Sequence, residues 1–86
     1  MATVYIPTPL RSYTHSSEVT ATGDTLMALV DDLDSQFPGF KFRVVDEQDQ
    51  VRPHIKFFVG NEHNDDLHTA VEAGLAVHII AALSGG

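Results

Sequence analysis

The chain has 86 residues, a length that allows one domain with one compact core. It carries 12 acidic and 5 basic residues, a formal net charge of -7, and no cysteine. This composition excludes a disulfide scaffold and argues against a nucleic-acid partner. No apolar run approaches the roughly 20 residues that a membrane span needs, and no signal peptide is recognisable. We therefore expect a cytoplasmic protein that binds neither membranes nor nucleic acid.

The first quarter of the chain predicts a β-hairpin. Residues 4–6 are typical of a strand, which the Pro-Thr-Pro segment at 7–9 stops. After a polar turn at 14–17, residues 18–21 are typical of a second strand. Their short separation indicates that the two strands pair with each other.

The next segment predicts one amphipathic helix. Gly23-Asp24 opens it, with Asp24 as the N-cap, and Pro38-Gly39 ends it. Its apolar residues follow the spacing of a single helical face: Leu26, Leu29, Val30, Leu33 and Phe37. Three carboxylates lie largely off that face and are interpreted as solvated surface rather than a metal site: Asp31, Asp32 and Asp34.

The second half of the chain predicts further strands. Residues 42–45 are interpreted as a short strand, residues 55–59 as a clear one and residues 76–81 as the last. A polar turn at 46–50 and a polar loop at 61–68 separate them. The order predicts an α+β roll, in which a mixed four- to five-stranded sheet carries one main helix on one face.

Side-chain alternation predicts which residues occupy the face of the sheet that the helix leaves open. If the alternate apolar residues point inward, Tyr5, Phe58 and Ile80 point outward together, and His78 lies on the same side. An exposed apolar cluster on so small a protein suggests a docking surface for a partner. Scattered exposed apolar residues are the alternative interpretation.

Other polar groups give weaker indications. Arg11 and Arg52 either flank this surface or pair with the acidic turn near Asp46, and the sequence leaves both arrangements open. His63 and His68 are five residues apart, which on a helix would place them on different faces, so we interpret their segment as a polar loop rather than a metal site. No nucleophile elbow and no glycine-rich phosphate loop is present.

The sequence ends in Leu83-Ser84-Gly85-Gly86. Because glycine has no Cβ, a Gly-Gly end can thread a narrow slot in a partner. In a chain without cysteine, the carboxylate of Gly86 is the first candidate for reactive chemistry. The alternative is that the two glycines are incidental.

Several segments resemble a known family. They are the Ile-Pro-Thr-Pro-Leu-Arg opening at 6–11, Gly-Asp-Thr-Leu at 23–26, residues 55–61, and the span from 67 to the diglycine end. Together they resemble the ubiquitin-like β-grasp sulfur carriers of the MoaD/ThiS family, in particular those that serve cysteine biosynthesis in actinobacteria. The chain departs from them at Gly74-Leu75, where Gly-Asp is common, and at Ala81-Ala82, where proline is common.

The resemblance implies a β-grasp domain over residues 1–82 and a flexible tail over 83–86. It implies that an ATP-dependent E1-like activating enzyme adenylates Gly86, and that sulfur then displaces AMP to leave a thiocarboxylate. Gly85 would keep the tail slender, and Leu83 and Ser84 would contact partners as its neck. The chain itself would bind no cofactor and no metal, since the partner uses the ATP, and it would be a protein co-substrate rather than an enzyme.

The acceptor of the sulfur stays open at this point. The resemblance favours a cysteine-synthase-like acceptor, and the large subunit of molybdopterin synthase is the alternative. Two further alternatives are a ubiquitin-like modifier joined to target lysines and a plain β-grasp binding module.

Overall fold

Five strands form one mixed sheet in the computed structural model, which describes residues 1–81. The central strand is the last in sequence; it runs parallel to the first strand and antiparallel to the third. The architecture confirms the predicted α+β roll. The strands are β1 Ala2–Tyr5, β2 Glu18–Ala21, β3 Ile55–Val59, β4 Glu62–His63 and β5 Ala76–Ala81. Their order in the sheet is β2-β1-β5-β3-β4. The helices are α1 Arg11–Thr14, α2 Leu26–Gln36 and α3 Phe40–Val44, and a 3₁₀ turn covers Thr8–Leu10.

The core lies between α2 and one face of the sheet. The predicted helical face is buried except at Phe37, which is partly exposed and packs against the core. Each fully buried aliphatic or aromatic side chain contributes about 1.5–3 kcal/mol. In residues 1–81 none of the helices has the length and apolarity required to cross a bilayer. The sheet supplies alternate residues of its inner strands to this core: Val4, Ile55, Phe57, Val77 and Ile79.

The N-cap of α2 is Thr25, so the prediction of Asp24 was wrong. Thr25 has extended backbone angles, and its Oγ1 accepts the amide N–H of Ala28 at 3.2 Å. Asp24 lies one residue too early, and its carbonyl instead accepts the N–H of Val71 at 2.8 Å. The loop before α2 is therefore fixed both to the helix and to the segment that leads into β5.

Replacing Thr25 with alanine is expected to lower the free energy of unfolding by about 1 kcal/mol, because the Ala28 N–H loses its acceptor. Chemical denaturation followed by circular dichroism measures this change. Thr25→Ser keeps the hydroxyl and is expected to retain most of the stability. Equal losses in both variants would contradict a capping role.

Residues 42–44 belong to a helix and Val45 follows as its extended C-cap, so the prediction of a strand at 42–45 was wrong. The buried pair is Phe40 and Val44, four residues apart, whereas Phe42 is 58% exposed. The carboxylate of Asp34 accepts the N–H groups of Gly39 and Lys41 at 3.1 and 3.0 Å, which stabilises the start of this short helix. Spacing by four and a capping carboxylate therefore override the local alternation of apolar residues.

The connection between β1 and β2 is more structured than the predicted polar turn. The strands pair antiparallel, as expected, from Ala2 opposite Ala21 to Tyr5 opposite Glu18. Between them the chain makes the 3₁₀ turn and α1, which end at His15 in a left-handed conformation, φ 57°. This detour places Arg11 beside the end of β5.

An ion pair joins α2 to α3 on the side of the molecule formed by these helices. The Lys41 Nζ lies 2.8 Å from Asp31 Oδ1, and this hydrogen bond raises the pKa of Lys41 above its ordinary value. Both side chains are partly exposed, so the pair contributes little to stability.

Candidate functional site

Tyr5, Phe58 and Ile80 lie on the same face of the sheet, opposite α2. Tyr5 of β1 and Phe58 of β3 are both in register with His78 of the central strand β5. Ile80, two residues further along β5, is opposite Lys56. We call Tyr5, Phe58, His78 and Ile80 the outer sheet face. Their predicted shared placement is confirmed, and their role as a docking surface stays a prediction.

The aromatic groups of this face are organised around His78. The rings of Tyr5 and His78 stack with centroids 4.6 Å apart and planes 10° from parallel. Phe58 packs on the other side against His63 of β4, at 5.3 Å between centroids. Tyr5 and Ile80 are 38% and 45% exposed, so the face is apolar and open to solvent. Sequence alternation had placed His78 outward without assigning it to the site.

Two clefts flank the end of β5. The first, of about 420 Å³, is lined by Tyr5, Arg11, His78, Ile80 and Ala81 among others. The second, of about 350 Å³, lies across Ala81 and is lined by residues that include Arg43 and His54. Because both clefts contain Ala81, a partner that engages this end of the strand meets the outer sheet face on one side and basic groups on both.

The structure shows where the two arginines lie whose arrangement the sequence left open. Arg11 flanks the outer sheet face, with its Nε donating to the carbonyl of Ile6 at 3.0 Å. Arg52 donates from Nε to the carbonyl of Phe42 at 2.7 Å, and its guanidinium lies 4.8 Å from the centre of the Phe42 ring. Asp46 accepts backbone N–H groups of its own turn instead. Arg52 is therefore not paired with the acidic turn.

The histidine-rich loop forms local contacts. His63 Nε2 lies 2.9 Å from Asp65 Oδ1, and the carboxylate of Asp66 accepts the backbone N–H of His68. Across residues 1–81 no three side chains of the metal-binding types converge. The hydrogen bonds of this segment stabilise a turn between β4 and the approach to β5.

The predicted tail residues Leu83, Ser84, Gly85 and Gly86 lie outside the described residues. The last described residue, Ala81, pairs with Ile55 at the edge of the two clefts. The site therefore consists of the outer sheet face, the clefts, and the strand end from which the sequence continues to the diglycine.

The sheet order, the single main helix on one face and the strand leading to a diglycine define a ubiquitin-like β-grasp protein. The chain is 36% identical to the sulfur carrier protein CysO of Mycobacterium tuberculosis and of Mycobacterium bovis over 90 residues, which cover 98% of this chain and 97% of the relatives. It belongs to the CysO family of sulfur carrier proteins, as the sequence resemblance predicted. No family model matches the chain.

Solved structures agree with this assignment. A chain in the crystal structure of the Amycolatopsis orientalis BexX/CysO complex superposes with a TM-score of 0.91 at 33% identity, covering 100% of both chains. The crystal structure of Mycobacterium tuberculosis CysO gives a TM-score of 0.90 at 32% identity, covering 96% of this chain and 100% of that one. The similarity extends over the whole sheet and the helices packed on it.

Proposed function

We propose that this protein carries sulfur as a thiocarboxylate on Gly86, exposed as the C-terminus of the working carrier. The observation that carries the proposal is membership in the CysO family along almost the whole chain, combined with a sequence that runs from a central strand into Gly85-Gly86. Leu83 and Ser84 would form the neck that a partner grips. In this role the protein is a co-substrate, and the catalytic groups belong to its partners.

The chemistry requires activation because a free carboxylate is a poor electrophile. In the proposed reaction the Gly86 carboxylate attacks the α-phosphorus of ATP on an activating enzyme, forming the acyl adenylate and releasing pyrophosphate. Hydrosulfide then attacks the acyl carbon, AMP leaves with the bonding electron pair, and a proton is released. The product is a thiocarboxylate, a soft nucleophile that an acceptor enzyme can use.

The tail and the outer sheet face would have separate roles in binding a partner. A Gly-Gly end can pass through a narrow slot because neither residue has a side chain. The outer sheet face supplies exposed apolar surface next to the strand end, which suits the docking of a partner around that slot. The CysO of Amycolatopsis orientalis forms a complex with BexX. We propose that this chain likewise forms complexes with an activating enzyme and with an acceptor.

Replacing Ile80 with serine is expected to slow sulfur loading about tenfold while the protein stays folded. Ile80 is 45% exposed on the outer sheet face, so the change removes apolar contact with a partner and little of the core. Loading is followed by intact mass in an extract of the native cells supplied with ATP and sulfide.

Leu75→Ser is the matched control for this experiment. Leu75 is also a partly exposed aliphatic residue, but it lies just before β5, at the end of the strand far from Ala81. Its variant is expected to load at close to the normal rate. Equal loading by the two variants would count against the outer sheet face as the docking surface.

We propose a cysteine-synthase-like enzyme as the sulfur acceptor, because the curated relatives at 36% identity are CysO proteins. The large subunit of molybdopterin synthase remains the second candidate. The cytoplasm is the proposed location, since the activating step consumes ATP. A thiocarboxylated carrier that yields cysteine when mixed with the candidate acceptor and its substrate would distinguish the first acceptor from the second.

The intact mass of the protein purified from its native cells tests the proposal as a whole. The expected result is a species heavier by the difference between one sulfur and one oxygen, with the change mapped to Gly86 by fragmentation. A single unmodified mass that persists after incubation with ATP, sulfide and native extract would overturn the proposal in favour of a plain binding module.

A further inference from the structure

The basic residues of this acidic protein gather at one end of the molecule. Of the five lysines and arginines, only Lys41 lies away from the end of β5, in its ion pair with Asp31. Arg11 lines one cleft beside Ala81 and Arg43 the other. Two further cations complete the set: Arg52, which shares a cleft with Arg43, and Lys56, opposite Ile80. We call Arg11, Arg43, Arg52 and Lys56 the basic collar.

The arginines of the basic collar are held in place without being neutralised. Arg43 donates from Nε to the hydroxyl of Tyr13, just as Arg11 and Arg52 donate from Nε to backbone carbonyls. Within residues 1–81 none of the collar residues forms an ion pair with a carboxylate, although Glu47 lines the same cleft as Arg43 and Arg52. The guanidinium groups are thus fixed at Nε, which leaves their Nη groups for an external acceptor.

The opposite end of β5 is acidic. Glu62 and Glu72 line a cleft with Leu75, just before the first residue of the strand. The six residues of β5 separate the two ends by about 16 Å. The lysine and arginine side chains are therefore concentrated at the end of the central strand that leads to the diglycine, whereas the glutamates of this cleft lie at the other end. A field of this shape orients an approaching partner as well as attracting it.

We infer that the basic collar docks onto an acidic rim surrounding the slot that receives the tail on the activating enzyme, so that carboxylates of that protein orient the carrier tail-first. This inference rests on the proposed function. A net charge of -7 repels an acidic surface in most orientations, whereas the collar end presents fixed cations to it.

Protein carboxylates fit the collar better than the phosphate of the adenylate does. The adenylate forms on Gly86, five residues beyond Ala81, and an extended chain of five residues spans about 17 Å. A tail threaded through a slot therefore carries the phosphate well beyond the reach of the collar arginines. The collar instead meets whatever lines the mouth of the slot.

The test compares loading rates of three variants in native extract with ATP and sulfide: R43Q/R52Q, R43K/R52K and K41Q. Between about 0.1 and 1 M NaCl the screening length falls from about 10 to about 3 Å. At the lower salt concentration, R43Q/R52Q is expected to load about tenfold more slowly than the wild type. Its loading rate is also expected to depend much less on salt concentration than the wild-type rate does. K41Q, which removes a cation outside the collar, is expected to stay within about twofold.

The lysine variant separates charge from packing, since it keeps the cations but loses the arginine contacts with Tyr13 and Phe42. It is expected to recover most of the rate; a defect as large as that of R43Q/R52Q would overturn the inference. If the wild type loads and R43Q/R52Q loads equally fast, the inference is also overturned, but the proposed function stands. No loading of the wild type would overturn both.

A parallel series of loading assays in sodium phosphate, at the ionic strengths of the NaCl series, tests whether the collar binds a phosphate group instead of protein carboxylates. The expected result is that phosphate slows wild-type loading no more than NaCl does. Stronger inhibition by phosphate in the wild type than in R43Q/R52Q would show that the collar holds a phosphate group, which would overturn the assignment to protein carboxylates.

Discussion

Extending the chain by one alanine after Gly86 is expected to abolish sulfur loading, by at least about 100-fold, while the fold remains intact. The added residue shifts the terminal carboxylate by about 3.5 Å along the tail. Misplacement of a reacting group by about 1 Å already costs on the order of 100-fold in rate. The alanine also adds a Cβ where the proposed slot admits only glycine. Loading is measured by intact mass, and folding by circular dichroism.

The control carries one alanine inserted after Met1, which is exposed and far from the tail in sequence. It is expected to load normally. Thiocarboxylate formed on the C-terminally extended variant would contradict the assignment of the Gly86 carboxylate as the sulfur carrier. Lysine-linked adducts of the wild type that survive thiol treatment would instead favour the protein-modifier alternative.

The fold was largely predictable because its elements have strong local patterns. The apolar face of α2 follows the helical period, and in β3 the exposed Lys56 alternates with the buried Ile55 and Phe57. Alternation along β1 and β5 also placed Tyr5 and Ile80 on the open face of the sheet. Such patterns are carried by neighbouring residues, so they can be identified before any tertiary contact is known.

The wrong predictions occurred where a specific hydrogen bond or core contact, rather than the pattern of apolar residues, decides the local structure. Phe42 and Val44 alternate like a strand, but Asp34 caps a helix there and Phe40 fills the core. Asp24 is at least as good a capping residue as Thr25, but Thr25 has the extended backbone and accepts the Ala28 N–H, while the carbonyl of Asp24 bonds to Val71. Val71 lies more than 40 residues from Asp24 in the sequence, so that contact is not visible in the local pattern.

In the candidate site too, some features follow from local sequence patterns and others depend on contacts between distant segments. The sequence placed Tyr5, Phe58 and Ile80 outward, but the stacking of His78 on Tyr5 depends on the register of two strands more than 70 residues apart. The basic collar was even less visible, because its residues come from α1, α3, β3 and the loop before β3. Their common position follows only from the topology that brings these segments to the end of β5.

Replacing Gly23 with alanine is expected to destabilise the protein by about 3 kcal/mol, a large part of the 5–15 kcal/mol typical of a small domain. A Cβ at Gly23 would lie 2.6 Å from the amide nitrogen of Leu29 and 2.8 Å from the carbonyl carbon of Ala28. Both are backbone atoms of α2, so relief requires moving the helix start away from the loop. Urea denaturation followed by circular dichroism measures the loss.

Gly60→Ala is the matched control, because it separates crowding from backbone conformation. Gly60 has a φ of 62°, which disfavours alanine, but a Cβ there would meet nothing within 4 Å. Its cost is therefore about 1 kcal/mol, from backbone strain alone. If Gly23→Ala were as mild as this control, the loop at residues 23–25 would have to move freely relative to α2, and the Thr25 cap and the Val71 hydrogen bond would then contribute little to holding the helix against the sheet.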